Sequence, residues 1–255
     1  MTDSARTALI TGGAAGIGAE TASLLRSRGW RVATVDLKPA ETSAEDPSCR
    51  LHFELDVSKS DSASHACDQV VKHWGRLDLL VTNAGINRVA PLESFALSDW
   101  TAVFDVHVTS TLLFMQAAAR HMLPAGTGVI VNTASIAGDR GVHGRAAYAA
   151  AKAAIISLTR TAAVEWATRG IRVNAIAPGF TETRLVRDLI DDGVIALEPM
   201  MQRTPMRRLA EPLEIARATA FLAGDEASFI TGHILYVDGG FMADYGVPPK
   251  QQDPA

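Results

Sequence analysis

Short apolar runs and longer amphipathic stretches alternate along most of the 255 residues. The runs are Thr7–Thr11, Arg31–Asp36, Leu51–Leu55, Leu77–Val81, Val129–Thr133, Ile171–Ile176 and His233–Val237, rich in Val, Ile and Leu. Their length and composition mark buried strands. Between them apolar residues recur at helical spacing. One such stretch runs through Leu24 and Leu25 and stops at Gly29. The others are Ser60–Trp74, Ser98–Arg120 (with the stripe Val103, Val106, Leu113 and Met115), the alanine-rich Arg145–Thr168, and Pro212–Leu222 with Pro in its first turn. Strands alternating with helices predict an α/β fold: a doubly wound, mainly parallel seven-stranded sheet with helices on both faces. The pattern breaks twice. Residues 184–209 scatter Leu185, Ile190, Leu197, Met200, Met201 and Met206 among charges, which reads equally as an apolar flap and as a pair of surface helices. The Pro- and Gln-containing tail 246–255 reads as irregular.

In such a sheet, ligands bind at the C-terminal ends of the strands. The first strand ends in Gly12-Gly13-Ala14-Ala15-Gly16-Ile17-Gly18 and leads into a helix. Glycines there let backbone approach a pyrophosphate, which sits on the helix N-terminal amides. The spacing Gly12-x-x-x-Gly16-x-Gly18 is neither G-x-G-x-x-G nor a P-loop. The second strand ends in Asp36, about 20 residues further on, where a carboxylate can accept both ribose hydroxyls of an adenosine and repel a 2′-phosphate. Residue 37 is Leu, and Lys38 is the one nearby cation. NAD is therefore expected over NADP.

The fifth strand is followed by Ser135, a Gly-containing loop, and Tyr148-Ala149-Ala150-Ala151-Lys152. Tyr148 and Lys152, four apart, share one helix face. A free tyrosine has a pKa near 10. A cation within about 4–6 Å lowers it, so Tyr148 is expected to exchange a proton with an alcohol or carbonyl while Ser135 bonds the same oxygen. Tyr-x-x-x-Lys alone is a short pattern, met more often in a helix with a core tyrosine and a solvated lysine; the rest of the chain gives it meaning.

Composition narrows the field. The net charge is −4, with both signs scattered, which argues against nucleic-acid and anionic-membrane partners. Cys49 and Cys67 carry no metal-ligand spacing, so no metal is expected and a reducing, cytoplasmic setting is the simplest reading. The apolar runs fall short of a membrane span, and the passage from Met1 into the first strand is read as leaving no room for a signal peptide.

Taken in order, Thr11-Gly12-x-x-x-Gly16-Ile17-Gly18, Asp56-Val57, Asn83-Ala84-Gly85, Ser135 with Tyr148-x-x-x-Lys152, Pro178-Gly179 and Val237-Asp238-Gly239-Gly240 resemble the short-chain dehydrogenase/reductase family. The resemblance spans Thr11 to Gly240. It implies a Rossmann-type catalytic domain over 1–245, with 184–209 as the substrate flap. It implies a pyrophosphate turn of Gly12, Gly16, Ile17 and Gly18, a ribose contact at Asp36, and an adenine pocket lined by Asp56 and Val57. Asn83, Ala84 and Gly85 would brace the central strands and touch the cofactor. Lys152 would bond the nicotinamide ribose and lower the Tyr148 pKa, and Pro178, Gly179 and Thr181 would meet the nicotinamide end. It also implies a homotetramer or homodimer paired partly through helices matching 98–120 and 145–168.

Two positions depart from the family pattern. His107 stands where the family has an Asn that holds a relay water near the lysine, and is expected either to replace it or to be a packed histidine that weakens the relay. Thr82 stands where a second Asn is common, with little effect expected. The activity implied is NAD-dependent interconversion of a secondary alcohol and its ketone. A 3-oxoacyl thioester reductase and a non-catalytic dinucleotide sensor are the alternatives. The substrate is left open among sugars, polyols, cyclic diols, hydroxy acids and steroids. His143, Arg145 and Arg88 lie where a substrate carboxylate can be met, though each also reads as a solvated surface cation.

Overall fold

A computed structural model describes residues 5–39, 47–191, 193 and 196–244; the tail 246–255 lies outside them. Seven strands, β1 (Thr7–Thr11), β2 (Arg31–Asp36), β3 (Arg50–Glu54), β4 (Leu79–Thr82), β5 (Gly128–Thr133), β6 (Ile171–Pro178) and β7 (Ile234–Val237), form one sheet in the order β3-β2-β1-β4-β5-β6-β7. Every pairing is parallel. The winding reverses between β1 and β4, and a crevice opens there at the strand ends.

Two apolar layers explain the strand composition. Leu9 faces Phe114, Met122 and Val70, on α4 (Ser110–Ala125) and α2 (Ser62–Trp74). Ala8 and Ile10 face Leu25 and Ile215, on α1 (Gly16–Ser27) and α8 (Pro212–Ala223). Both faces of β1 are thus dry, which is why it reads as a continuous apolar run rather than an alternation.

The stretch expected as one helix over 98–120 is not uniform. It is α3 (Leu97–Phe104), a π-helical turn at Asp105–Thr109, and then α4. The turn carries His107, and an inserted residue of this kind is common at functional sites. Contrary to the expectation for apolar runs, the helical stretch Leu97–Ala125 is long and apolar enough by composition to cross a membrane. Half of its most apolar window is buried inside this fold, against α2, β4 and β5. The alanine-rich segment forms α5 (Ala146–Trp166). Residues 184–209 contain α6 (Arg184–Asp191) and α7 (Leu197–Arg203), of which Met200 is buried and Met206 exposed.

A buried polar chain crosses this scaffold. Thr82 Oγ1 donates to Asn132 Oδ1 at 2.8 Å, and Asn132 Nδ2 donates to Thr159 Oγ1 at 2.9 Å. Thr82 therefore matters more than its sequence position suggested: it completes a bond that ties β4 to β5 and α5. Asn132→Ala leaves two buried hydroxyls short of a partner, so it should cost about 2 kcal/mol and lower Tm by roughly 4–8 °C, readable by thermal denaturation.

Candidate active site

The crevice at the β1/β4 reversal is a cavity of about 310 Å³. One end is walled by the glycine turn and Asp36, the other by Ser135, Tyr148, Lys152 and His107. Asn83, Ala84 and Gly85 line its floor, and Pro178, Gly179 and Thr181 the β6 side.

The turn is built by close approach. Gly12 has φ +67, and a Cβ there would lie 2.8 Å from Ala84 Cα. A Cβ on Gly18 would lie 2.1 Å from the Gly12 carbonyl oxygen. The latch is Asn83, whose Nδ2 donates to that same oxygen at 3.0 Å, while Thr11 Oγ1 accepts from the Asn83 and Ala84 amides. Asp36 accepts from the Ala14 amide at 3.0 Å and the Lys38 amide at 3.2 Å, so it caps the turn and also faces the cavity. A cradle in which side chains would collide, opening at α1's first turn beside a carboxylate, fits a dinucleotide.

Three of the residues expected at the cofactor do not line this cavity. Gly18 lies beneath the turn and makes room for it rather than lining the cavity. Asp56 turns its carboxylate to the Ser58 amide and hydroxyl, at 2.9 and 2.8 Å, bonds that hold its pKa low. Val57 is buried in the core layer with Leu9 and Ala33. Both residues nevertheless follow β3 at the C-terminal end of the sheet, on the side of the crevice that holds Asp36.

At the other end, Lys152 is 4% exposed and its Nζ donates to the Thr133 carbonyl at 2.7 Å. Burial lowers its pKa to about 7. Nζ lies 5.5 Å from the centroid of the Tyr148 ring. Ser135 lies beside Tyr148 on the cavity wall, and its Oγ accepts from the Ala137 amide at 3.1 Å. The expected fall in the Tyr148 pKa is reversed: burial pushes it up, and the neighbouring Ser135 hydroxyl and the charge of Arg145 pull it down by less. A desolvated lysine titrating near neutrality is a weaker cation than the sequence argument assumed.

His107 is buried and lies edge-on to Tyr148, with ring centroids 5.4 Å apart. Its Nε2 is 2.7 Å from the Ile86 carbonyl oxygen, to which the Nε2–H tautomer donates, and 3.1 Å from the Ile86 amide nitrogen, from which the other tautomer accepts; Nδ1 is buried without a partner. Gly85 admits the ring, since a Cβ there would lie 2.5 Å from His107 Cε1. Burial, then the charge of Lys152, lower the His107 pKa from 6.5 to about 3. Arg184 and Val186, inside the segment 184–209 expected as a flap, line the cavity together with Thr183 just before it, and Thr133 brings an unpartnered hydroxyl; none of the four is singled out in the sequence. No motif marks any of them.

A family model described as enoyl-(acyl carrier protein) reductase matches residues 12–242. A cis-4-hydroxycyclohexanecarboxylate dehydrogenase of Sinomonas cyclohexanicum is 44% identical, over 93% of this chain and 97% of its own. A 3-oxoacyl-(acyl-carrier-protein) reductase of Thermotoga maritima is 38% identical, over 92% and 96%. A gluconate 5-dehydrogenase of Burkholderia cenocepacia J2315, solved with NADP and tartrate, superposes with a TM-score of 0.86 at 35% identity, covering 94% of this chain and 96% of its own. The chain belongs to the short-chain dehydrogenase/reductase family. It is an oxidoreductase acting between alcohols and ketones, and the family likeness extends over nearly all of the described fold.

Within this dehydrogenase, His107 carries a pH signature. The unfolded chain takes a proton on this residue near pH 6.5, and the folded chain does so only near pH 3. Stability from this group is therefore present above pH 6.5 and lost as pH falls toward 3. Thermal melts of His107→Asn should show a shallower acid-side loss than the parent, by up to about 1.4 kcal/mol per pH unit.

Proposed function

We propose that this oxidoreductase is NAD-dependent, that it interconverts a secondary alcohol on a small ring or polyol with its ketone, and that Tyr148 is the acid/base. One observation carries the reading: a hydroxyl, a phenol and a buried amine meet in the same cavity that holds the glycine turn and Asp36. Gly12, Gly16 and Ile17 would hold the pyrophosphate, Asp36 the adenosine ribose, and Pro178, Gly179 and Thr181 the nicotinamide end. The bound nicotinamide supplies the two-electron acceptor or donor. The chain supplies the rest. Ser135 orients the substrate oxygen, and the Tyr148 phenolate takes the hydroxyl proton in oxidation or the phenol returns it in reduction. Lys152, with one donor committed to Thr133, has donors left for the cofactor ribose and for Tyr148. His107 is a neutral acceptor at Nδ1 and stands in for the relay Asn. Residues 184–209 cover the substrate, as Thr183, Arg184 and Val186 on the cavity wall suggest.

NAD preference rests on Asp36, whose carboxylate repels a 2′-phosphate, although three structural neighbours were solved with NADP or NADPH. The ring-alcohol class is supported by the relative from Sinomonas cyclohexanicum. A second reading, 3-oxoacyl thioester reduction, is favoured by the Thermotoga maritima relative, and Asp36 speaks against it. Homotetramers or homodimers are supported by exposed Leu112 on α4 and Val164 on α5. Two free thiols fit a reducing cytoplasmic setting.

Turnover assays with NAD and NADP over ring alcohols, polyols and a 3-oxoacyl thioester test the reading. Tyr148→Phe should lose about 10²–10⁴-fold or more in kcat while NADH titration is unaltered. Retained turnover removes Tyr148 as the acid/base. Because oxidation needs the phenolate and burial raises the phenol pKa, kcat/KM for oxidation should climb with pH into the alkaline range, and that for reduction should not. Asp36→Ala should narrow the NAD-to-NADP preference by about tenfold or more, since removing one charge repulsion is worth at least ~1.4 kcal/mol at short range.

A further inference from the structure

Of the three cations expected near a substrate carboxylate, two are accounted for. Arg88 pairs with Asp99 at 3.1 Å and also donates to the Asn87 carbonyl. His143 is exposed. Arg145 is different. It precedes α5 by one residue and Tyr148 by one turn, it is half-buried, and its charge is felt at the phenol. Its guanidinium has no hydrogen bond or ion pair with any described residue, whereas Arg6, Arg76, Arg88, Arg187 and Arg208 each meet a carboxylate. A cation drawn out of water without a counter-charge is unfavourable.

A second vacancy lies on the neighbouring loop. The Asn87 side-chain oxygen and nitrogen are both buried with no partner. This loop is clasped to the one before α5: the Ala90 amide donates to the Gly144 carbonyl at 3.0 Å, and Val89 packs over Gly144. At its other end, Ile86 holds His107 on the cavity wall. Arg145 and Asn87 thus lie just outside the cavity lining, on two clasped loops whose neighbouring residues Tyr148 and Ile86 form its wall, and an anionic group with several acceptor oxygens complements the guanidinium and the amide N–H.

We propose that Arg145, assisted by the Asn87 amide, seats a carboxylate of the substrate, so that this enzyme acts on a hydroxy acid and its oxo acid. The inference rests on the alcohol–ketone reading of the same cavity. It assigns to Arg145 a role in substrate choice, separate from the chemistry at Tyr148.

The probe pair is cis-4-hydroxycyclohexanecarboxylate and its carboxamide, which differ in charge at one group. The parent enzyme should prefer the acid. In Arg145→Met the acid-to-amide ratio of kcat/KM should fall on the order of 100-fold, the usual scale for losing one partner of a buried charge pair. Arg145→Lys should keep part of the preference, and Asn87→Ala should lose less than Arg145→Met. An unchanged ratio in folded Arg145→Met, or a parent that does not favour the acid, overturns the proposal. So does an equal loss on both probes with an alkaline shift of the pH profile, which would assign Arg145 to stabilising the Tyr148 phenolate. A parent that turns over neither probe counts against the ring-alcohol substrate of the proposed function instead. Thermal shift by cyclohexanecarboxylate in the presence of NADH, compared between parent and Arg145→Met, then still decides: stabilisation of the parent alone supports the anion subsite, and equal response overturns it.

Discussion

Lys152 is a buried amine with one short bond, to the carbonyl of Thr133 at the end of β5. The cost of burying it fixes much else. Its bond fastens the first turns of α5 to the sheet at the strand ends, beside the β1/β4 reversal. That places Tyr148, one turn earlier, over the cavity and within reach of Ser135. The same desolvation lowers the lysine pKa toward neutrality and holds His107 uncharged. A site that buries an amine, an imidazole and a phenol together leaves each near its neutral form, so small changes in charge nearby can redistribute protons among them.

The scaffold supports this arrangement through contacts distant from the chemistry. The Thr82–Asn132–Thr159 chain locks β4, β5 and α5 together, and α5 carries Tyr148 and Lys152. On the other side of the reversal, Asn83 and Thr11 hold the glycine turn by its own backbone. Two halves thus meet at one crevice, and the residues that face it come from the C-terminal ends of β1, β2, β4, β5 and β6, the starts of α1, α5 and α6, and the π turn. Polar groups without partners collect around it: His107 Nδ1, Thr133 Oγ1 and the Asn87 amide. Buried groups of this kind are ordinarily satisfied, and their concentration beside one cavity is the feature expected of a surface completed by ligands.

The chain's own order of residues determined the fold class, the seven strands to within a residue or two, the glycine turn and the Ser135–Tyr148–Lys152 set. These are local matters: apolar runs buried on both faces, helical spacing, and close backbone approach are written in adjacent positions. Tertiary structure decided what depends on the surroundings of a group. Asp56 and Val57 look like cofactor contacts in sequence; only the fold shows that Asp56 also caps a local turn and that the Val57 side chain is part of the core. Proximity of a lysine predicted a lowered tyrosine pKa, and burial of both reversed it. The helix around His107 carries a π turn, and the ring meets the backbone of a residue 21 positions away in the chain. Arg88, Arg145 and His143 are indistinguishable as letters; only the placement of Asp99 and the absence of a carboxylate near Arg145 among the described residues separate them. Spacing along a chain fixes which groups are available, but desolvation and pairing are properties of space, and they set the charge each group carries.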